Sequence, residues 1–577
     1  MKRFLHALCA ALLCLLVACP QPAPIQPGFT IRLEPPVLKL RVTEVAMVKV
    51  LVNRSGGFSG AITASLGGEN TGLNSVPVEI AANEGTLSLT VTDAATIGTS
   101  FPVVIASSGP SSKRETLTLR VTKPVAQITQ VTLADNGGSR QVRQGTENLK
   151  LEVQGGNLER ITAFKLGDLT LSALPGRTAS RLELQTLVPH GAAPGERDLV
   201  LTASGGETVF AAALRVTPIT AGSQGNDATG AGTPDRPFRS MTHALSVARS
   251  GDTVRLLNGQ YDAANGERWP IAAAGLVRAN VPSGVQVHGE SAAGVVLSGS
   301  GQSRSNLELG LAFSDGGGAK TLTVRGFGAG VTVYAGAVTL EGVLAVANVV
   351  GFYAESGATT ARRLEIDANE YGVALGGTAR LDLLGGSSHD NTGFGIGVLG
   401  QDGVTLNLSD FEVFGNPIGL LVSGQSQVRL ERVNIRDNRQ DGLSASGGVT
   451  LQITDSQLSG NADAGLRFGG ERLTVRGTTI HDNKGSGAVI ESDPQRVDFG
   501  TLLEPGNNAV FGNASTQIVD RRASRAALGN PETFTISATT LSERTLSPNL
   551  YPGNGQWPYL DAPYLTVVER NNLIRVY

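Results

Sequence analysis

Seven asparagines recur at a nearly constant interval: Asn348, Asn369, Asn391, Asn416, Asn438, Asn461 and Asn483, with gaps of 21, 22, 25, 22, 23 and 22. Each is followed within a few residues by a glycine, at Gly351, Gly372, Gly395, Gly419, Gly442, Gly465 and Gly487. Short apolar runs flank both. A unit of about 22 residues cannot bury its own apolar face, so it has to stack on copies of itself. The repeat predicts a solenoid of strands over this half of the chain.

The remainder must be organised separately, because 577 residues exceed what one core supports and point to three or four domains. Glycine is frequent (74 residues) and aromatics make up 5%, a balance of short strands and tight turns. The net charge is −3 with no basic patch, so nucleic acid is not an expected partner. Cys9, Cys14 and Cys19 are the only cysteines. That excludes a disulfide framework and a thiol nucleophile from the rest of the chain.

The first residues, Met1-Lys2-Arg3 followed by an apolar run from Phe4 to Ala18, have the form of a secretion signal too short to span a membrane. The run ends Leu16-Val17-Ala18-Cys19, which resembles the lipobox of bacterial lipoproteins. That resemblance implies removal of residues 1–18 and a diacylglyceryl group on Cys19. The mature chain would then be extracytoplasmic and lipid-anchored to the cell membrane or the outer membrane, Pro20 in place of Asp favouring the outer one where two exist. Residues 19–28 carry prolines at 20, 22, 24 and 27 and read as an extended tether.

Residues 29–123 alternate polar and apolar positions in short runs such as Ala46–Val52 and Thr86–Val91, punctuated by Gly, Ser and Asn. This is the pattern of a β-sandwich. It resembles bacterial immunoglobulin-like surface modules. Residues 124–218 form a second module, closing on Leu214-Arg215-Val216-Thr217-Pro218 as the first closes on Leu119-Arg120-Val121-Thr122. Gly156-Asn157-Leu158 and Pro189-His190-Gly191 resemble the IPT/TIG branch of these folds.

Residues 222–520 open with a predicted helix, Met241 to Ala248, N-capped by Ser240 and apolar at Met241, Ala244, Leu245 and Ala248. Gly251-Asp252-Thr253-Val254, a strand, and Gly259-Gln260-Tyr261 follow. This opening, with the repeats, resembles a family of right-handed parallel β-helix proteins related to pectate lyases and widespread on bacterial surfaces. The resemblance implies the handedness and assigns the short helix to capping the first coil. Residues 521–577 break the period and are expected to cap the far end. The expected fold class is all-β: two N-terminal immunoglobulin-like sandwiches, then a right-handed parallel β-helix with a short N-terminal capping helix.

Counted back from each asparagine, positions eight, five and three are apolar or small and should point inward, as at Leu430, Val433 and Ile435. The asparagines themselves should bond from coil to coil as a structural ladder. Positions six, four and two are polar and should face out. Column six contains Arg363, Asp410, Arg432 and Asp455; column four Glu365, Glu412, Asn434 and Gln457; column two Asp367, His389, Phe414, Arg436 and His481. Two readings of this face stay open. Asp410, Arg432 and Asp455 alternate in sign and can form an ion-pair ladder. Alternatively, Asp410 and Glu412, roughly 6–8 Å apart if on one strand face, can act as a glycosidase pair. Arg432 or Arg436 would be the base of a lyase, with calcium on the two carboxylates as the only cofactor envisaged. His389, Phe414, Asn434 and Asp455 are the candidate ligand contacts. No metal centre is expected, since His389 and His481 sit four coils apart. In pectate-lyase-like proteins substrate lies along an exposed strand face, but the Asn-Thr-Asp, Asp-Asp, Gly-His-Gly and Arg-Ile-Lys set of polygalacturonases is absent. The function expected is non-catalytic binding of a glycan or surface by a membrane-anchored envelope protein; the alternative is a polysaccharide lyase or glycosidase.

Overall fold

The computed structural model describes residues 26–68, 70–134, 138–272, 279–400, 403–491, 496–500 and 504–520, and the backbone of four later strands. The expected signal, Cys19 and most of the tether and of residues 521–577 lie outside the described residues. Nearly all of the regular structure in the described residues is strand. Two compact units form, one built on the first sandwich with residues 150–185 and 198–211, the other on the solenoid with 133–149, 186–197 and 212 onward.

In the first unit, alternation sets the sandwich. Along Val45–Ser55, Val48, Val50 and Val52 are buried while Met47 and Lys49 face solvent. That strand lies between Gly28–Glu34 and Glu84–Val91. A second sheet, ordered Ser111–Thr116, Val103–Ser108, Ile62–Gly67, Val78–Ile80, supplies Ile62, Ala64, Val104 and Ala106 to the same core. Further strands (Gln127–Leu133, Leu149–Gly156, Arg181–Thr186, Leu171–Ala173) form a four-stranded sheet.

The second unit is a parallel solenoid. A 22-stranded sheet runs its length beside a ten-stranded one. Both pack against a continuous apolar interior that includes Leu364, Phe411, Val433 and Leu458. The start is closed by the helix Met241–Val247, with Met241, Ala244, Leu245 and Ala248 in that interior. Ser240 accepts from His243 N at 3.0 Å, and the buried carboxylate of Glu267 accepts from Met241 N and Thr242 N at 2.6 and 2.9 Å. The first-turn donors of this short helix are thereby satisfied. Asp252, fully buried, accepts from Gly191 N and Arg249 N and meets His190 Nδ1 at 2.5 Å, tying the preceding loop to the first coil.

The parallel ladder continues past residue 520. Thr533–Ile536 pairs with Arg496–Phe499 and Thr540–Ser542 with Ala509–Phe511, and the final strand, Asn572–Val576, turns antiparallel to Leu565–Glu569. Among the described residues no helix is long and apolar enough to cross a membrane.

Candidate functional site

The asparagines position everything else. All seven are buried, and each from Asn369 on accepts through Oδ1 from both the backbone N–H and the side-chain amide of the asparagine one coil earlier, while Asn348 accepts from Phe327 N. The remaining amide hydrogen of Asn416 reaches Ser388 O and Phe414 O. The paired glycine has a steric cause: a Cβ on Gly395 would come within 2.7 Å of both Asn416 Nδ2 and Gly419 O. The ladder has one rung more than the sequence reading found, Asn513, which lies 30 residues on and carries Gln517 where the others carry glycine.

With the ladder fixed, inward columns eight, five and three are buried as expected (Leu408, Phe411, Val413; Leu430, Val433, Ile435). The outward columns divide. Column six is not on a flat strand: Arg363, Asp410, Arg432 and Asp455 have φ of 50°, 54°, 52° and 48°. This left-handed conformation turns a corner in the long sheet. The cause was present in the pattern, since inward positions eight and five are three residues apart and strict alternation has to break between them. Asp410 therefore sits on the corner and Glu412 on the limb beyond it, and the strand-rise estimate of their separation does not apply.

At the corner, Arg432 holds Asp410 through two bonds, Nε–Oδ1 2.7 Å and Nη2–Oδ2 2.8 Å, and also pairs with Glu431 of its own coil. These bonds keep the Asp410 carboxyl below its ordinary range and raise the Arg432 guanidinium above its own. Asp455 bends instead over Gly477 of the next coil, where any Cβ would collide with its Oδ1.

On the second limb, Arg436 Nη2 lies 2.9 Å from Glu412 Oε2 and Nη1 3.1 Å from Asp437 Oδ2. Burial works against the Arg436 charge, but the Glu412 and Asp437 bonds outweigh it and the pKa is raised. The ring of Phe414 is sandwiched: His389 stacks on one side at 4.6 Å and 3°, and the Arg436 guanidinium lies 4.3 Å from its centroid on the other. The edge of the ring is what remains for a ligand. Asn434 stands between Glu412 and Gln457 in register, its Oδ1 buried without a hydrogen-bond partner.

His389 Nδ1 also lies 2.9 Å from Asp390 Oδ2 and 3.3 Å from Asp367 Oδ1. The three ligand atoms fall within 4.8 Å of one another, the one group of this kind among the described residues. The His-Asp half recurs at His481–Asp482, 2.7 Å apart, with His481 stacked on Phe511. There Ser459 stands in the register position before His481, so the third acid is missing. Both turns use Asp to orient a stacked imidazole.

A further outward face escaped the sequence reading. On the limb before the corner, positions nine and seven from each asparagine also point out, among them Thr360, Asp382, Asn407 and Arg429, and Glu341, Arg362, Ser409 and Glu431. Continuing the alternation back from buried position eight finds them.

The family model described as "Protein of unknown function (DUF1565)" matches residues 223–531. Among solved structures, the Azotobacter vinelandii mannuronan C-5 epimerase AlgE4 A-module aligns at 15% identity over 53% of this chain and 90% of its own, with a TM-score of 0.35. The AlgE6 A-module of the same organism aligns at 16% identity over 57% of this chain and 95% of its own, with a TM-score of 0.37. No curated protein matches the chain.

Proposed function

We propose, from the premise that the chain belongs to the DUF1565 family by a match over more than half its length, that its solenoid binds a glycan or glycan-coated surface without turning it over. In this reading the lipobox cysteine Cys19 anchors the chain in the cell envelope, and the sandwiches serve as spacers. One observation carries the non-catalytic part: the acids and bases of the candidate pair are committed to each other, Asp410 to Arg432 at 2.7 and 2.8 Å and Glu412 to Arg436 at 2.9 Å. A general acid has to hold a proton near neutral pH, and Asp410 is held ionised. A lyase base has to lose one, and both arginines are held protonated. A surface of compensated charges with a ring edge at Phe414 suits reversible recognition of hydroxyl groups.

The test uses the mature chain with a panel of uronate and neutral polysaccharides, with and without calcium. Binding is expected by calorimetry, with no reducing ends and no unsaturated products released, and Cys19→Ser is expected to move the protein out of the membrane fraction. Product release that disappears in Glu412→Gln would replace this reading with the polysaccharide lyase or glycosidase.

A further inference from the structure

On the limb before the corner, four successive coils near the start of the long sheet bring His288, Lys320, Glu341 and Arg362 into one register column, with Arg255, paired to Glu290, one coil before them. Gln286, Gly318, Thr339 and Thr360 form the parallel column two residues earlier. A groove of about 240 Å³ lies over them. Gly318 keeps its floor low: a Cβ there would run into Gln286 Oε1 and come within 2.6 Å of Thr339 Oγ1.

The two cations of this groove lack direct ion pairs among the described residues, so its charge is only partly offset. Many cations of the outer faces meet acids, as at Arg432–Asp410, Arg436–Glu412, Arg380–Asp382 and Arg467–Asp441. Here Glu341 is drawn aside by Arg363 of the corner at 2.6 Å. Lys320 and Arg362 are left with no ion-pair partner among the described residues. They stand two strand spacings apart, roughly 9–10 Å. His288 does not add to the charge at neutral pH. Burial, and then the neighbouring Lys320, push its pKa down to about 4, so it offers one donor and one acceptor.

We propose that this groove is a second binding site, for a sugar chain bearing carboxylates, with Lys320 and Arg362 each taking one carboxylate and His288, Gln286 and Thr360 bonding the hydroxyls between. The groove contains no Phe, Tyr or Trp ring on which a nucleobase could stack, and no apolar pocket for a peptide side chain. Two lone cations at a fixed spacing fit a polymer whose anionic groups recur along its length. Glu341 between them penalises a chain charged at every position, which favours acidic residues spaced by neutral ones.

The test is calorimetry of the full mature chain with oligosaccharides containing uronate, with their neutral counterparts, and with inorganic sulfate alone. Expected are binding of the uronate oligosaccharides, at least tenfold weaker binding of the neutral ones and of sulfate, and a loss of tenfold or more in Lys320→Gln/Arg362→Gln with an unchanged thermal midpoint. Glu341→Gln should tighten binding several-fold, a gain that a folding defect cannot produce. Arg380→Gln, a cation on the same limb but paired to Asp382 and outside the groove, should leave it unchanged, which separates this site from general attraction to the basic side chains of the surface. Equal affinity for acidic and neutral chains, or full affinity in the double variant, would overturn the assignment.

Discussion

Each ladder asparagine spends its side chain on neighbours that nothing else can satisfy. Removing Asn416 strands the backbone N–H of Asn391 and one hydrogen of its amide, the other being held by Ser388 Oγ, in a buried setting. A buried group left without a partner costs about 1–3 kcal/mol, so Asn416→Ala is expected to lower stability by about 2–4 kcal/mol in denaturant titration. A second residue-scale effect concerns pH. His288 titrates near 4 in the folded chain and at about 6.5 when unfolded. The unfolded state therefore takes up the proton first, and stability falls as pH drops from about 6.5 towards 4. The groups facing the imidazole are Lys320 on the next coil, Arg255 on the preceding one and, further off, Glu341. His288→Gln should flatten the stability profile in that window; an unaltered slope would assign it elsewhere.

At the scale of the element, the corner governs how the outer surface is divided. A left-handed residue at column six separates two strand limbs in every coil, supplied by Gly342, Gly385 and Gly477 where it is not a polar residue. A β-branched side chain resists that conformation. At Asp455, with φ 48°, Asp455→Val is expected to be less stable than Asp455→Gly by about 1–2 kcal/mol, the shared loss of the carboxylate cancelling in the comparison. The corner also marks where sequence reasoning stopped short. Alternation identified the strands and the buried columns correctly, because burial is decided by one residue and its period. The three-residue step between inward positions was read as an unbroken strand. That placed Asp410 and Glu412 on one face and passed over the limb that holds Lys320 and Arg362. Ion-pair choice was legible only in part. The Asp410–Arg432 rung follows from register, whereas the turning of Asp455 over Gly477 depends on side-chain geometry that spacing does not encode.

At the scale of the whole molecule, the repeat alone disclosed the solenoid, since a period of about 22 residues has few other solutions. The sandwiches were legible from alternation, and the closing helix from its cap and apolar face. The last rung, Asn513, was not, because its coil is longer and Gln517 takes the place of the marker glycine.

The longer coils show where the solenoid tolerates extra residues. Asn391 and Asn416 are 25 apart, and Asn483 and Asn513 are 30 apart, yet in both cases the amides still meet at 2.8 Å. The surplus falls between the strands while the amide spine is undisturbed. Gene segments one coil long can therefore be duplicated or excised without redesigning the rest, provided each copy brings its own asparagine. Reach becomes a quantity that descent can adjust in steps of one strand spacing, about 4.8 Å.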